Sequence, residues 1–240
     1  MKKLTGLFIV FGFVLAFPTL KLHAQKAFEG TITWSMSMPM MGDDDQHPMV
    51  IDIKGKKSVV DIDMGAMGSM KTYSDGDTKK IYMVMEAMKS GFVVDMAADS
   101  ALKKTAQTQL GSIDLKPTGK KETIAGHPAE EYLLTGVKMK GMNLDMSIWA
   151  AADFPNDMRE SLYHALNSDP GQDTKETKAM RQLADKGLMP VRTVMKKDGE
   201  VVVTTEFVKY EQKSLDDALF VPPANIKYQP MPKMGGGGMN

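Results

Sequence analysis

The sequence predicts an α+β fold: a single curved antiparallel β-sheet with helices covering its concave face. Three observations carry this. Apolar and polar residues alternate with a period of two along most of the chain, tight-turn dipeptides punctuate those runs, and two helical stripes stand together in the second half.

The elements follow in order. Residues 1–24 read as a secretory signal peptide. Lys2 and Lys3 form a basic start, Leu7 to Phe17 is an uncharged apolar run, and Ala24 offers a small residue before the cut. The run is short for a bilayer span and Pro18 and Lys21 follow it, so an exported, soluble chain beginning at Gln25 is expected, in the periplasm or outside the cell. A lipid anchor would need a cysteine, and the chain has none. Phe28, Gly30, Ile32, Trp34, Met36 and Met38 then alternate with Glu29, Thr31, Thr33, Ser35 and Ser37, as in a half-buried strand. Pro39 to Pro48 reads as a polar turn, and Met49, Ile51 and Ile53 as the returning strand of a long hairpin.

Val60, Ile62 and Met64 suggest a third strand, and Gly65 to Met70 a bend. Asp75-Gly76 is a tight-turn signal before Lys79 to Glu86, with a short strand at Phe92 to Met96. Ala98 to Leu110 has helix composition but a weak apolar stripe. Lys120 to Ile124 and Ala129 to Leu134 flank a turn at Gly126-His127-Pro128, and Met142, Leu144, Met146 and Ile148 alternate again. Segment 155–168 opens on Pro155 and carries Met158, Leu162 and Leu166 at four-residue spacing. Segment 174–186 follows Asp173, which has capping-box spacing to Glu176, and stops at Gly187. Asp198-Gly199 joins Pro190–Lys196 to Glu200–Tyr210 and is the strongest hairpin signal in the chain. Leu215 to Phe220, then Pro222 and Pro223, close a domain of residues 25–232, leaving 233–240 as a Gly-rich tail.

Composition narrows the function. The 30 Lys and Arg balance 30 Asp and Glu, and loss of Lys2, Lys3 and Lys21 with the leader leaves −3, which gives no electrostatic footprint for nucleic acid. Methionine outnumbers leucine in residues 25–240, 22 to 12, although leucine is normally among the commonest residues. His47, His127 and His164 stand far apart in sequence, and HExxH, GxSxG and phosphate-loop motifs are missing, so the chain does not read as an enzyme.

The closing unit is Gly187-Leu188-Met189-Pro190-Val191-Arg192, the Asp198-Gly199 hairpin, Thr204-Thr205-Glu206-Phe207 and Leu215 through Pro223. It resembles that of the half-barrel envelope carriers typified by the lipoprotein carrier LolA and the mycobacterial lipoprotein LppX. With Phe28-Glu29-Gly30, the Met-rich hairpins and Gly126-His127-Pro128-Ala129, the chain looks like an uncharacterised secreted family, a domain of unknown function near those carriers. The resemblance implies a LolA-like half-barrel that carries apolar ligands and supplies no catalytic residues.

Two site readings follow. Methionine is a flexible gap-filler suited to an adaptable apolar lining. A cavity lined by Trp34, Met36, Met83, Met85, Met142, Met146, Met158 and Met180 would hold a lipid, a lipoprotein acyl chain or another amphiphile, with no cofactor. The partner would be that small molecule, delivered through transient contact with an envelope membrane or lipoprotein. The alternative is a Cu(I) or Ag(I) site of Met38, Met40, Met41, His47 and Met49, because thioether and imidazole donors suit soft ions. The plainer reading of the same residues is an ordinary filled core with a solvated loop. Asp43, Asp44 and Asp45 read as a solvated charge run.

Overall fold

A computed structural model describes residues 27–39, 43–65, 68–95, 115–139, 142–166 and 175–230. The expected signal peptide, the helix-like stretch from Ala98 to Leu110 and the Gly-rich tail lie outside them. Twelve strands make one sheet. They are β1 (Glu29–Met38), β2 (Asp43–Lys54), β3 (Lys57–Asp63), β4 (Ser69–Asp75), β5 (Lys80–Met85), β6 (Ser90–Asp95), β7 (Lys116–Ile124), β8 (His127–Met139), β9 (Met142–Ala151), β10 (Met189–Lys197), β11 (Glu200–Gln212) and β12 (Lys227–Pro230). Helices α1 (Asn156–Leu166) and α2 (Lys175–Asp185) stand between β9 and β10. The spatial order is β12-β6-β5-β4-β3-β2-β1-β11-β10-β9-β8-β7, an open, curved sheet.

The order explains itself from local signals. β1 to β6 form one meander of hairpins, β7 to β11 form a second interrupted by the two helices between β9 and β10, and β1 joins them by pairing with β2 on one side and β11 on the other. Asp198 and Gly199 both take positive φ, as a two-residue primed turn between β10 and β11 requires. Ala125 and Gly126 do the same between β7 and β8, so His127 and Pro128 belong to β8 rather than to the turn. Ladder irregularities at Thr33/Trp34, Pro190/Arg192, Met195/Lys196 and Leu134/Val137 bend and twist their strands, which curves the sheet.

Three further expectations are corrected. The sheet is antiparallel except where β12 runs parallel to β6. β12 is short and polar, so its place is set by packing of the closing segment and not by a sequence pattern. The expected bend reaching Met70 gives way to β4, which starts at Ser69 and whose Thr72 and Ser74 interrupt the apolar alternation. The polar turn from Pro39 to Pro48 is much shorter, because β2 begins at Asp43 and takes in His47.

Three clusters hold the fold together. Met158 and Leu162 of α1, fully buried, pack with Phe28, just ahead of β1, and with Ile32, Trp34, Ile51, Ile53 and Phe207 of the sheet. Ala179 and Leu183 of α2 pack with Tyr132, Leu134, Leu144, Met146 and Ile148. Alternation along each strand and register across the ladders put most of these sheet residues on one face. The opposite face of β3, β4 and β5 presents Val59, Tyr73 and Val84, covered by Leu215, Phe220, Ile226 and Tyr228. Glu29 anchors that cover by accepting from the Leu215 amide at 2.8 Å, and Lys54 Nζ donates to the Leu215 carbonyl at 2.7 Å. At the end of α2, Gly187 with φ +72° and the Leu188 amide bonded to the Leu183 carbonyl close the helix, and the Arg159 guanidinium reaches the Gly187 carbonyl.

Two buried groups set a pH window. Glu131 accepts from Ser147 at 2.6 Å and Thr118 at 2.9 Å and pairs with Lys120 at 3.1 Å. Burial pulls its pKa up, but these partners together outweigh that and hold it below the ordinary value. Burial pushes the Tyr163 hydroxyl, which donates to the Leu188 carbonyl at 2.9 Å, far above an ordinary phenol. The depressed carboxyl stabilises the fold above its unfolded pKa of about 4.3, and that contribution is lost as pH falls through the folded value. The raised phenol favours the fold fully below its unfolded pKa of about 10, and that advantage is lost as pH rises above it. A melting temperature followed against pH should therefore fall on both sides of a neutral plateau. Glu131→Gln should flatten the acid limb and Tyr163→Phe the alkaline limb. Limbs unchanged in the variants would assign the transitions to other groups.

Candidate functional site on the open face of the sheet

The face that α1 and α2 share with β1, β2 and β8–β11 continues over β3 to β6 with a different degree of cover. Register defines the rows. Trp34 pairs with Met49, Met49 with Ile62, Ile62 with Met70, and Met70 with Met85. The next row runs Ile32, Ile51, Val60, Thr72, Met83 and Phe92, and the one after it ends in Ile81 and Val94. At the β1 and β2 end Ile32, Trp34, Ile51 and Ile53 are buried and Met49 is half-buried. From β3 outward, Val60, Ile62, Met70, Ile81, Met83, Met85, Phe92 and Val94 are only half-buried. Apart from Val60, which packs on the α1 cluster, none of them joins the three clusters of the described residues. Soluble chains rarely leave contiguous apolar surface beyond a few hundred Å² without a use for it.

The closed end of the first row carries a polar group. Trp34 is 4% exposed, and its indole Nε1 is buried with no hydrogen-bond partner. An unpaired buried donor costs about 1–3 kcal/mol. Trp34 sits edge-on to Phe207 at 5.8 Å and shares its cluster with Met158 and Leu162, so an apolar row leads from half-exposed methionines to a donor lying in the α1 cluster.

The expected lining residues therefore fall in several places. Trp34, Met146 and Met158 are buried among the clusters, and Met180 packs half-buried against the α2 cluster. Met83 and Met85 lie on the half-open face, and Met36 is half-buried on β1. Met142 begins β9, but its side chain lies outside those described. Met146, on β9, is seven strands along the sheet from β5. Two open clefts lie elsewhere, and neither contains a methionine. One of about 500 Å³ is bordered by Lys121, Glu130, Tyr132 and Leu188, and one of about 260 Å³ by Tyr73, Tyr82, Phe220 and Pro222. Ile62, Met70, Ile81, Phe92 and Val94 were not among the expected site residues. For Ile62, Ile81, Phe92 and Val94 the signal was the alternation in β3, β5 and β6, and for Met70 on β4 there was none; which strands pair, and so which residues form a row, is not written in any one strand.

Of the soft-metal candidates, Met36, not counted among them, pairs directly with His47, while Met38 is nearly buried and pairs with Asp43. Met49 is half-buried against the α1 cluster. Met40 and Met41 lie outside the described residues. Among the described residues, no group of three or more His, Asp or Glu converges as a metal site, and no helix is long and apolar enough to cross a membrane.

Comparison with known proteins adds a family. The profile described as Domain of unknown function (DUF4412) matches residues 28–226. No curated protein matches the sequence. Among solved structures, MucB in the Pseudomonas aeruginosa MucA/MucB complex is similar at 11% identity and a TM-score of 0.41, over 84% of this chain. The chain spans 58% of that MucB chain. A Vibrio parahaemolyticus domain described as outer membrane lipoprotein-sorting is similar at 10% identity and a TM-score of 0.36, over 80% of this chain and 89% of that one.

Proposed function

We propose that this chain, which belongs to the DUF4412 family, is an exported binding protein that holds one acyl chain of a lipid, lipoprotein or other amphiphile along the half-buried face of β3–β6. On this reading α1 and α2 cover the concave side over β1, β2 and β8–β11, and the uncovered rows are the ligand's seat. The observation that carries it is the run Met49, Ile62, Met70, Met85 with its neighbour Val60, Met83, Phe92, apolar, contiguous in register and only half-buried. A flexible thioether adapts to a chain of variable length and unsaturation better than a branched aliphatic does. Burying ten methylenes there would contribute about 8 kcal/mol before the costs of association. The orphan Nε1 of Trp34 gives such a ligand a polar end, because a carbonyl or carboxyl oxygen arriving beneath α1 would accept from it. The N-terminal basic and apolar segment supports export, and the source of the chain would be an envelope membrane or lipoprotein met transiently.

Titration with cis-parinaric acid tests this. The wild type should bind it saturably in the micromolar range. Met83→Asp puts a charge in the middle of the seat at a half-exposed position, so it should weaken binding more than tenfold with little change in melting temperature. Absence of saturable binding by the wild type, or equal binding by the variant, would reject the reading.

A further inference from the structure

The redrawn β1–β2 hairpin brings together donors that the sequence keeps eleven residues apart. Because β2 starts at Asp43, His47 stands directly opposite Met36. Opposed side chains in an antiparallel pair have Cβ atoms about 4.5–5.5 Å apart, the span a single ion bridges between two donor atoms. Alternation puts Met38 on the same side of β1 as Met36, and Met49 on the same side of β2 as His47. Met49 lies diagonal to Met36, about 7–8 Å away and within reach of a flexible thioether, and Met38 is two residues along β1 from Met36 on the same face. The register shift between Met36 and Met38 falls on β2, where residues 44–46 stand opposite Ser37 alone, and such bulges re-aim side chains at the ends of ladders.

We infer that this end of the hairpin binds one soft monovalent cation, Cu(I) or Ag(I), through the Sδ atoms of Met36, Met38 and Met49 and a ring nitrogen of His47. Three thioethers and one imidazole form a donor set that soft ions accept and that Zn(II), Ca(II) and Mg(II) do not favour. The chain has no cysteine that would outcompete these donors. His47 makes a contact within the fold, and an imidazole has two nitrogens, so that contact and a metal bond do not exclude each other. The ion adds no step of chemistry here; it is bound and held. The site shares Met49 with the near end of the acyl seat, and the seat's centre, Met83 on β5, stands three strands from β2.

Ag(I), which does not change oxidation state under these conditions, is the probe. In the full chain one equivalent should shift the His47 ring nitrogen and the Met36 methyl signals in NMR spectra, whereas Zn(II) should shift neither. Competition against a Cu(I) chelator should show at least tenfold weaker binding for Met36→Leu and for His47→Gln, with Met70→Leu/Met85→Leu as the unaffected control. Equal affinity in all four proteins, or saturation of the wild type without a His47 shift, would overturn the site. Should either single variant fail to fold, the wild-type NMR shift alone decides. Retention of cis-parinaric acid binding by Met36→Leu separates this outcome from that of the acyl seat.

Discussion

Gly30→Val should fail to fold, or lose about 3 kcal/mol or more in a urea melt, beyond the ordinary cost of overpacking a core. A Cβ on Gly30 would lie 2.2 Å from the Glu211 carbonyl oxygen, 2.9 Å from the Phe28 ring and 3.0 Å from the Gln212 Cα. Two of those three neighbours are backbone and cannot rotate away. The backbone concerned is β11, which pairs Gly30 with Gln212, while β2 holds the other side through Ile53. β1 is the strand on which the two meanders meet, so pushing β11 off it divides the sheet and uncovers Ile32 and Trp34. Gly199→Ala is the matched control. Nothing lies within 4 Å of its Cβ, and only the positive φ of +88° opposes it, for about 1 kcal/mol. A Gly30→Val protein within 0.5 kcal/mol of wild type would mean that the β1–β11 ladder tolerates a shift the geometry does not allow.

What the sequence made legible is what depends on neighbours along the chain. Asp198-Gly199 determines its own turn, and the alternation on each side determines which residues of β10 and β11 share a face. Met158 and Leu162, four apart, determine the buried stripe of α1 wherever it docks. The rest is decided by pairing at a distance. β4 alternates Met70, Thr72 and Ser74 with Lys71 and Tyr73, a pattern too mixed to read alone, yet β3 and β5 recruit it as a full strand. β12 has no pattern, and its Tyr228 earns its place from Tyr82, 5.1 Å away, and from the cover of Leu215 and Phe220. The candidate site has the same limit. Methionine at Met83 and at Met158 looks alike in sequence, and only the docking of α1 on the sheet makes Met158 a core residue while Met83, with no such cover, stays half-open. His47 looked like a loop residue because three aspartates precede it, whereas the ladder begins among them.

That difference between methionines makes the second large effect. Met158→Asp should unfold the protein or undock α1, and Met83→Asp should leave it folded and unable to bind an acyl chain. Met158 is 0% exposed and packs in the apolar cluster with Ile32, Trp34, Leu162 and Phe207, where a carboxylate is cut off from water. An unpaired buried charge belongs to the substitutions that cost more than about 4 kcal/mol, and protonation to escape it still leaves a polar group unsatisfied. Met83 sits on β5 with its side chain half in solvent, so water solvates a new carboxylate there and the ladder to Thr72 and Phe92 persists. Circular dichroism melts and cis-parinaric acid titrations of the two proteins give four readings. A stable Met158→Asp protein would show that α1 does not seal the core, and a Met83→Asp protein that loses its fold would show that the half-open face is core after all. Freezing a buried methionine costs up to about 2 kcal/mol of side-chain entropy against about 0.5–1 for leucine. At Met158 the fold bears that cost for packing alone, whereas at Met83 incomplete burial leaves the side chain its freedom, and a surface that stays mobile until a ligand covers it is what an adaptable seat requires.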